Sequence, residues 1–123
     1  MLEENTKANQ IFSIDIALDL VAGDKELLQE VIEDYVKELP EQVQNLQSAI
    51  SAGDFKQVEL LSHSLKGTGV TLGASILSEA ARKIEDACVE GRTAELTELF
   101  TAIPPALAEY QQAVAAFDWN SLE

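Results

Sequence analysis

Cysteine and basic residues are scarce in this chain of 123 residues, and each shortage argues against a class of protein. The single cysteine, Cys88, excludes a disulfide within the chain and fits a reducing compartment. Lys and Arg number 8 against 22 Asp and Glu, and the formal charge of -14 argues against nucleic acid or an anionic membrane as a partner. No apolar run reaches membrane-spanning length or opens the chain as a signal peptide. Together these absences predict a cytoplasmic protein.

The residues that are present suffice for one domain and are too few for two. Hydrophobic residues form 46% of the chain, which is enough for a core. Residues 1–10 are polar and unpatterned and are predicted to be a mobile tail. The folded domain is predicted at 11–118 and a C-terminal tail at 119–123. No segment alternates between apolar and polar residues for long enough to predict a strand.

Apolar residues instead recur at steps of three or four, the spacing of amphipathic helices. Ser13 is a predicted N-cap for a short helix from residue 14 to about 22, and Asp24 for a long helix that continues through Pro40 to about residue 52. Asp54 is followed three residues later by Gln57, the pattern of a capping box, and so begins the helix that contains the only histidine.

Two further helices complete the predicted fold. One spans residues 75–90, and the last begins at Thr93 and is predicted to cross Pro104 and Pro105 as one kinked helix. Turns as short as those at Gly53 and Gly91 make consecutive helices antiparallel neighbours. The prediction is an all-α, up-down-up-down four-helix bundle with a short additional N-terminal helix.

The single histidine, His63, lies opposite the apolar stripe of its own helix. At 100° per residue, the stripe falls between about 160° and 220° from the imidazole, which therefore points away from the core. Lys66 lies on one flank. The residues on the exposed side of the helix predict a docking surface around the histidine, formed by Lys56, Glu59, Leu60, Gly67 and Val70.

The segment around His63 resembles a known signature. His63, Leu65, Lys66 and Gly67, followed by Leu-Gly-Ala at 72–74, are similar to the motif of histidine-containing phosphotransfer (HPt) domains, the phosphorelay modules of two-component signalling. The resemblance implies that His63 accepts a phosphoryl group. It also implies that Lys66 stabilises the negative charge of that phosphoryl group and that Gly67 keeps the approach to the ring open.

The resemblance extends from about residue 12 to 117, and its one departure is small. Ser62 stands where the family often has alanine. The chain is expected to be a phosphorelay intermediate between a hybrid histidine kinase and aspartate-bearing receiver domains. It is expected to be a monomer with no kinase activity and no cofactor of its own, and Mg²⁺ is expected in the receiver.

General chemistry agrees with these roles. The ordinary histidine pKa of about 6.5 leaves a neutral, nucleophilic imidazole at pH 7. Residues three and four positions along a helix lie against the first, so Lys66 and Gly67 are the downstream neighbours of His63. Phosphoryl transfer requires in-line positioning and neutralisation of charge on the phosphoryl oxygens. One histidine and one lysine meet only part of this requirement, so a partner must bring the metal ion and the group that donates or accepts the phosphoryl group.

Other functions fit the sequence less well. The glycines at 67, 69 and 73 superficially resemble a dinucleotide-binding loop, but such a loop follows a strand and opens a helix. One histidine and one cysteine are too few for a zinc site, and serines adjacent to a histidine on a helix do not face it. The acidic pairs at 33–34 and 85–86 are predicted to be solvated. The remaining alternative is an acidic helical interaction module without phosphotransfer.

Overall fold

The computed structural model describes residues 11–122, and that part of the chain contains helices and turns with no strand. The predicted mobile tail at 1–10 lies outside the described residues. Short 3-10 turns occupy Thr93–Glu95 and Trp119–Ser121. The α-helices, in chain order, are α1 (Ile14–Leu20), α2 (Lys25–Ala52), α3 (Phe55–Thr71), α4 (Ser75–Val89), α5 (Leu96–Phe100) and α6 (Ile103–Ala116).

The long helices form the bundle that the sequence predicts. α3 packs against α2 and α4, and α6 packs against α2 and α4 on the other side of the core. α1 lies against α2 and α3. The all-α bundle with a short additional N-terminal helix is therefore confirmed. No helix in the described part is both long and apolar enough to cross a membrane.

The predicted caps explain where the two longest helices begin. Asp24 accepts a hydrogen bond from the backbone N–H of Leu27 at 3.1 Å, and Asp54 accepts one from that of Gln57 at 3.3 Å. Each bond satisfies a backbone donor that the first helical turn leaves free. Ser13 occupies the N-cap of α1 without a side-chain hydrogen bond.

The core is built from one face of each helix. Pro40 is accommodated within α2, which remains one continuous helix as predicted. Buried residues recur along α2 at the expected steps of three or four. The largest side chains that are almost fully buried come from all four long helices and from α5: Leu28, Ile32, Leu39, Leu46, Val58, Leu65, Leu77, Ile84, Leu96, Ile103 and Tyr110.

The prediction of one kinked helix across Pro104 and Pro105 is wrong. α5 ends at Phe100 and α6 begins at Ile103, with the prolines in the first turn of α6. Because the first N–H groups of a helix have no partner within it, proline is tolerated there and begins a helix instead of bending one. The backbone N–H of Ala102 bonds to the carbonyl of Leu99 at 3.3 Å and closes the end of α5.

The first and last described segments meet beside the end of α3. The ring of Phe12 contacts those of Tyr110 and Phe117 edge-on, with centroids 5.6 and 5.4 Å apart. The backbone N–H of Ser13 bonds to the carbonyl of Gly73 at 2.8 Å. A Cβ at position 73 would lie 2.3 Å from the Ser13 carbonyl oxygen, so glycine is needed there to admit the N-terminal segment. The exact limits of the domain stay predictions.

Candidate functional site

His63 lies near the middle of α3 and its side chain is 67% exposed. Val58 and Leu65, which lie on the opposite side of the same helix, are buried. The helical pattern therefore placed the imidazole correctly, outside the core. An exposed nucleophile on a rigid helix can be reached by a second protein.

The Nδ1 atom of His63 lies 2.8 Å from Oε2 of Glu85, a residue of α4. An ionised carboxylate only accepts hydrogen bonds, so this contact assigns the imidazole proton to Nδ1. The lone pair of a neutral ring then resides on Nε2. In the described structure Nε2 has no hydrogen-bond partner, which leaves this nitrogen available as a nucleophile.

Lys66 shares the same carboxylate. Its Nζ lies 2.7 Å from Oε1 of Glu85, whose side chain is only 14% exposed. Partial burial acts to raise the pKa of the Glu85 carboxyl, but the contacts with Lys66 and His63 outweigh it and hold that pKa below its ordinary value. Glu85 is therefore ionised at neutral pH and holds both side chains beside each other.

A close contact between α3 and α4 brings Glu85 level with His63. A Cβ at position 69 would lie 3.0 Å from Cβ of Ser78, so Gly69 lets the two helices approach. The Ser78 hydroxyl donates to the carbonyl of Lys66 at 2.9 Å. From this contact, Glu85 lies about 10 Å along α4 and His63 about 9 Å back along α3, at 1.5 Å per residue.

The other predicted surface residues are all exposed on α3. A Cβ at position 67 would meet no neighbouring atom within 4 Å, so the approach to the ring is open at Gly67. Leu60 and Val70 are 57% and 56% exposed, and Lys56 and Glu59 are exposed as well. That these residues contact a partner stays a prediction.

A groove of about 400 Å³ adjoins the imidazole on the side away from Glu85. Its far wall is Leu20, at the end of α1, and this side chain is 49% exposed. The remaining lining comes from α3 and its C-terminus: His63, Ser64, Gly67, Thr68, Thr71 and Leu72.

Sequence reasoning missed two of these residues. Glu85 was predicted to be solvated, and that prediction is wrong, because the side chain is largely covered and ion-paired. Its position one turn after the buried Ala81 and next to Ile84 signals an edge of the α4 core face. Leu20 carried no signal beyond being apolar at the end of a short helix. Glu33 and Asp34 are exposed as predicted.

Within residues 11–122, no group of three or more His, Cys, Asp and Glu side chains could hold a metal ion. Cys88 is half-buried, and its thiol donates to the backbone carbonyl of Phe55 at 3.1 Å. Burial raises the pKa of this thiol, and a nearby Glu59 adds to the effect. Neither observation points to chemistry at Cys88.

Comparison with known proteins agrees with the geometry. The family model described as the Hpt domain matches residues 30–118. A phosphorelay intermediate protein, rdeA, of Dictyostelium discoideum is 25% identical over 109 residues, which are 89% of this chain and 43% of the relative. The chain thus spans less than half the length of that relative.

A solved structure shares the fold. The crystal structure of the HPT domain of an Hpt sensor hybrid histidine kinase from Shewanella superposes with a TM-score of 0.67 at 21% identity, covering 89% of this chain and 97% of the other. With the family match, which includes the histidine motif and the helices around it, these findings define the class. The chain belongs to the Hpt domain family.

Proposed function

We propose that this chain is a phosphorelay intermediate, which carries a phosphoryl group on Nε2 of His63 between a hybrid histidine kinase and receiver domains. The observation that carries the proposal is the exposed imidazole of His63, whose Nδ1 is held by Glu85, within a domain of the Hpt family. A fixed tautomer presents one nitrogen outward and spares the ring a proton rearrangement before reaction.

The transfer step exchanges one phosphorus bond for another. Nε2 of His63 attacks the phosphorus of an aspartyl phosphate on a receiver, the N–P bond forms, and the bond from phosphorus to the aspartate oxygen breaks. The aspartate leaves as a carboxylate. The ring, which now carries the phosphoryl group and the Nδ1 proton, becomes positively charged, and the Glu85 carboxylate stabilises that charge. Transfer to the next receiver is the reverse reaction.

Lys66 and Gly67 assist from either side of the ring. The Lys66 ammonium, held 2.7 Å from Glu85, lies one turn from His63, where it can offset the phosphoryl charge. Gly67 leaves space for the receiver. The exposed residues Leu60 and Val70 supply apolar docking contacts on α3.

The partner supplies the rest of the chemistry. Mg²⁺ held by the receiver would neutralise charge on the phosphoryl oxygens, in addition to the charge that Lys66 offsets. The chain is proposed to act as a monomer in the cytoplasm, without kinase activity of its own. The competing interpretation as a purely structural acidic module gains no support from the family match.

Transfer from a phosphorylated receiver tests the proposal directly. The receiver is labelled with a small phosphodonor, mixed with the chain, and the product is assayed for phosphate that resists alkali and is lost in acid, as expected of phosphohistidine. His63→Gln is the control. Because His63 is exposed, this variant should keep the melting temperature of the wild type and accept no phosphate. Absence of acid-labile phosphate on the wild type with every receiver tested would count against the function.

A further inference from the structure

The groove beside His63 is shared between the histidine motif and a helix outside it. The family model matches residues 30–118, whereas α1 lies at Ile14–Leu20. The wall that Leu20 contributes is therefore not part of the matched Hpt sequence. It places an apolar side chain, half of whose surface is exposed, across the groove from the nucleophile.

The two threonine hydroxyls in the groove have already used their protons. Thr68 donates to the carbonyl of Ser64 at 3.1 Å, and Thr71 donates to that of Gly67 at 3.0 Å. Each hydroxyl carries one proton, so neither threonine has a donor left for a ligand. No Lys, Arg, Asp or Glu lines the groove. Apart from the Ser64 hydroxyl and the imidazole of His63, the lining has no side-chain hydrogen-bonding group left for a ligand, so it suits an apolar group better than an anion.

We propose that this groove receives one aliphatic or aromatic side chain of a docked receiver domain, and that Leu20 thereby helps to determine which receivers are accepted. The inference rests on the proposed function. His63 and Gly67 belong both to the groove and to the transfer site, so a receiver that reaches Nε2 covers the groove as well. A side chain inserted there removes the exposed half of Leu20 from water, a gain that differs between receivers according to the shape of that side chain.

Replacement of Leu20 tests the groove. Transfer rates are measured against receiver concentration, with several receivers, for Leu20→Ala and Leu20→Phe. For the receiver that transfers best to the wild type, we expect Leu20→Ala to raise KM by about fivefold to tenfold, with the smaller change in kcat, because about half of a leucine side chain loses its contact. Leu20→Phe should narrow the groove and change the order of preference among receivers.

Ile16→Ala is the matched control. Ile16 is on the same helix and is 45% exposed, close to the 49% of Leu20, but it does not line the groove. Its KM should stay within twofold of the wild type. Equal increases in KM for Ile16→Ala and Leu20→Ala would replace docking in the groove with diffuse apolar contact along α1. An unchanged KM for Leu20→Ala would also overturn the proposal.

The proposed function is checked separately in the same experiment. Wild-type protein is treated with phosphoramidate, a small donor that needs no docked partner, and phosphorylation of His63 is followed. Labelling of the wild type by phosphoramidate and by receivers, together with an unchanged KM for Leu20→Ala, would remove the groove and retain the phosphorelay function. Absence of labelling by either route would overturn both.

Discussion

The side chains around His63 decide which of its two nitrogens carries the ring proton. Glu85 accepts a hydrogen bond from Nδ1 at 2.8 Å and pairs with Lys66 through its other oxygen at 2.7 Å. One carboxylate thus fixes the tautomer of the imidazole and keeps a cation beside it. Loss of this single side chain would disturb both features while leaving His63 in place.

Two variants of Glu85 separate these effects. Glu85→Gln keeps an acceptor oxygen for Nδ1 but loses the charge, whereas Glu85→Leu loses both. We expect Glu85→Leu to slow transfer by about tenfold or more, since a hydrogen bond to a charged group contributes about 1.5–3 kcal/mol, and Glu85→Gln to slow it less. Nitrogen NMR of the ring should show Nδ1 protonated in the wild type and a changed tautomer ratio in Glu85→Leu. Identical tautomers and rates in all three proteins would refute the role.

The sequence alone predicts that Lys66 and Gly67 lie beside His63, because both are within one turn of it on the same helix. Glu85 is 22 residues away on another helix, and its placement depends on how α3 slides against α4. That offset is set by the contact between Gly69 and Ser78, which the periodicity of a single helix does not contain.

Two buried tyrosines provide a second comparison of single side chains. Tyr110 donates to the carbonyl of Leu72 at 2.9 Å, whereas the Tyr35 hydroxyl lies near Thr68 without a well-aligned hydrogen bond among the described residues. Burial raises the pKa of both hydroxyls. Tyr110→Phe should lower the free energy of unfolding by about 1 kcal/mol, and Tyr35→Phe should change it by less than about half of that. Urea denaturation measures both, and a larger loss for Tyr35→Phe would contradict the assignment.

At the scale of elements, α3 contains two glycines with opposite surroundings. Gly67 faces open space, whereas Gly69 is buried against α4. Glycine inside a helix costs about 1 kcal/mol relative to alanine, so Gly67→Ala should raise the melting temperature. Gly69→Ala should lower it, because the added methyl must push α4 away at a cost of about 1–3 kcal/mol. Thermal denaturation followed by circular dichroism decides the matter, and destabilisation by both changes would mean that Gly67 is also a packing requirement.

A larger residue at position 67 probes access to the ring. Helical side chains lean toward the N-terminus, so glutamine at 67 would project toward His63, one turn earlier. Gly67→Gln should keep the fold and lose most transfer from receivers, with Gly67→Ala as the small-residue control. Normal transfer by Gly67→Gln would show that the glycine has another purpose.

The sequence predicted most helices well because local signals specify them. Asp24 and Asp54 cap α2 and α3 as expected, and Gly53 ends α2 with a φ of 70°. The prediction from sequence failed at Pro104 and Pro105, where the apolar spacing continues in phase from α5 into α6. The periodicity of the core is thus preserved across a break in the backbone, and only the position of proline in the first turn of α6 reveals the break.

At the scale of the whole molecule, charge is the dominant property. The chain has 22 acidic against 8 basic residues. Several of the cations are already paired, as in the contacts of Lys66 with Glu85, of Arg82 with Glu79 and Asp86, and of Arg92 with Glu90 and Glu95. The excess negative charge therefore repels itself across the surface.

Salt should relieve this repulsion. Raising sodium chloride from about 10 mM to about 150 mM shortens the range of charge interactions from about 30 Å to about 8 Å. We expect the melting temperature at pH 7 to rise by a few degrees, equivalent to about 1 kcal/mol. An uncharged solute at the same osmolarity serves as the control. A melting temperature that falls with salt would mean that the ion pairs contribute more than the repulsion.

The aromatic contacts between the two ends of the described chain also have an optical consequence. Trp119 is the only tryptophan, and its ring contacts Phe117 edge-on at 5.0 Å and lies 6.3 Å from Phe12. Indole emission responds to the polarity of its surroundings, so the intrinsic fluorescence of this protein reports on one location. Excitation at the red edge of the absorption band, where tyrosine does not absorb, would show whether residues 12 and 119 have separated, without any attached dye.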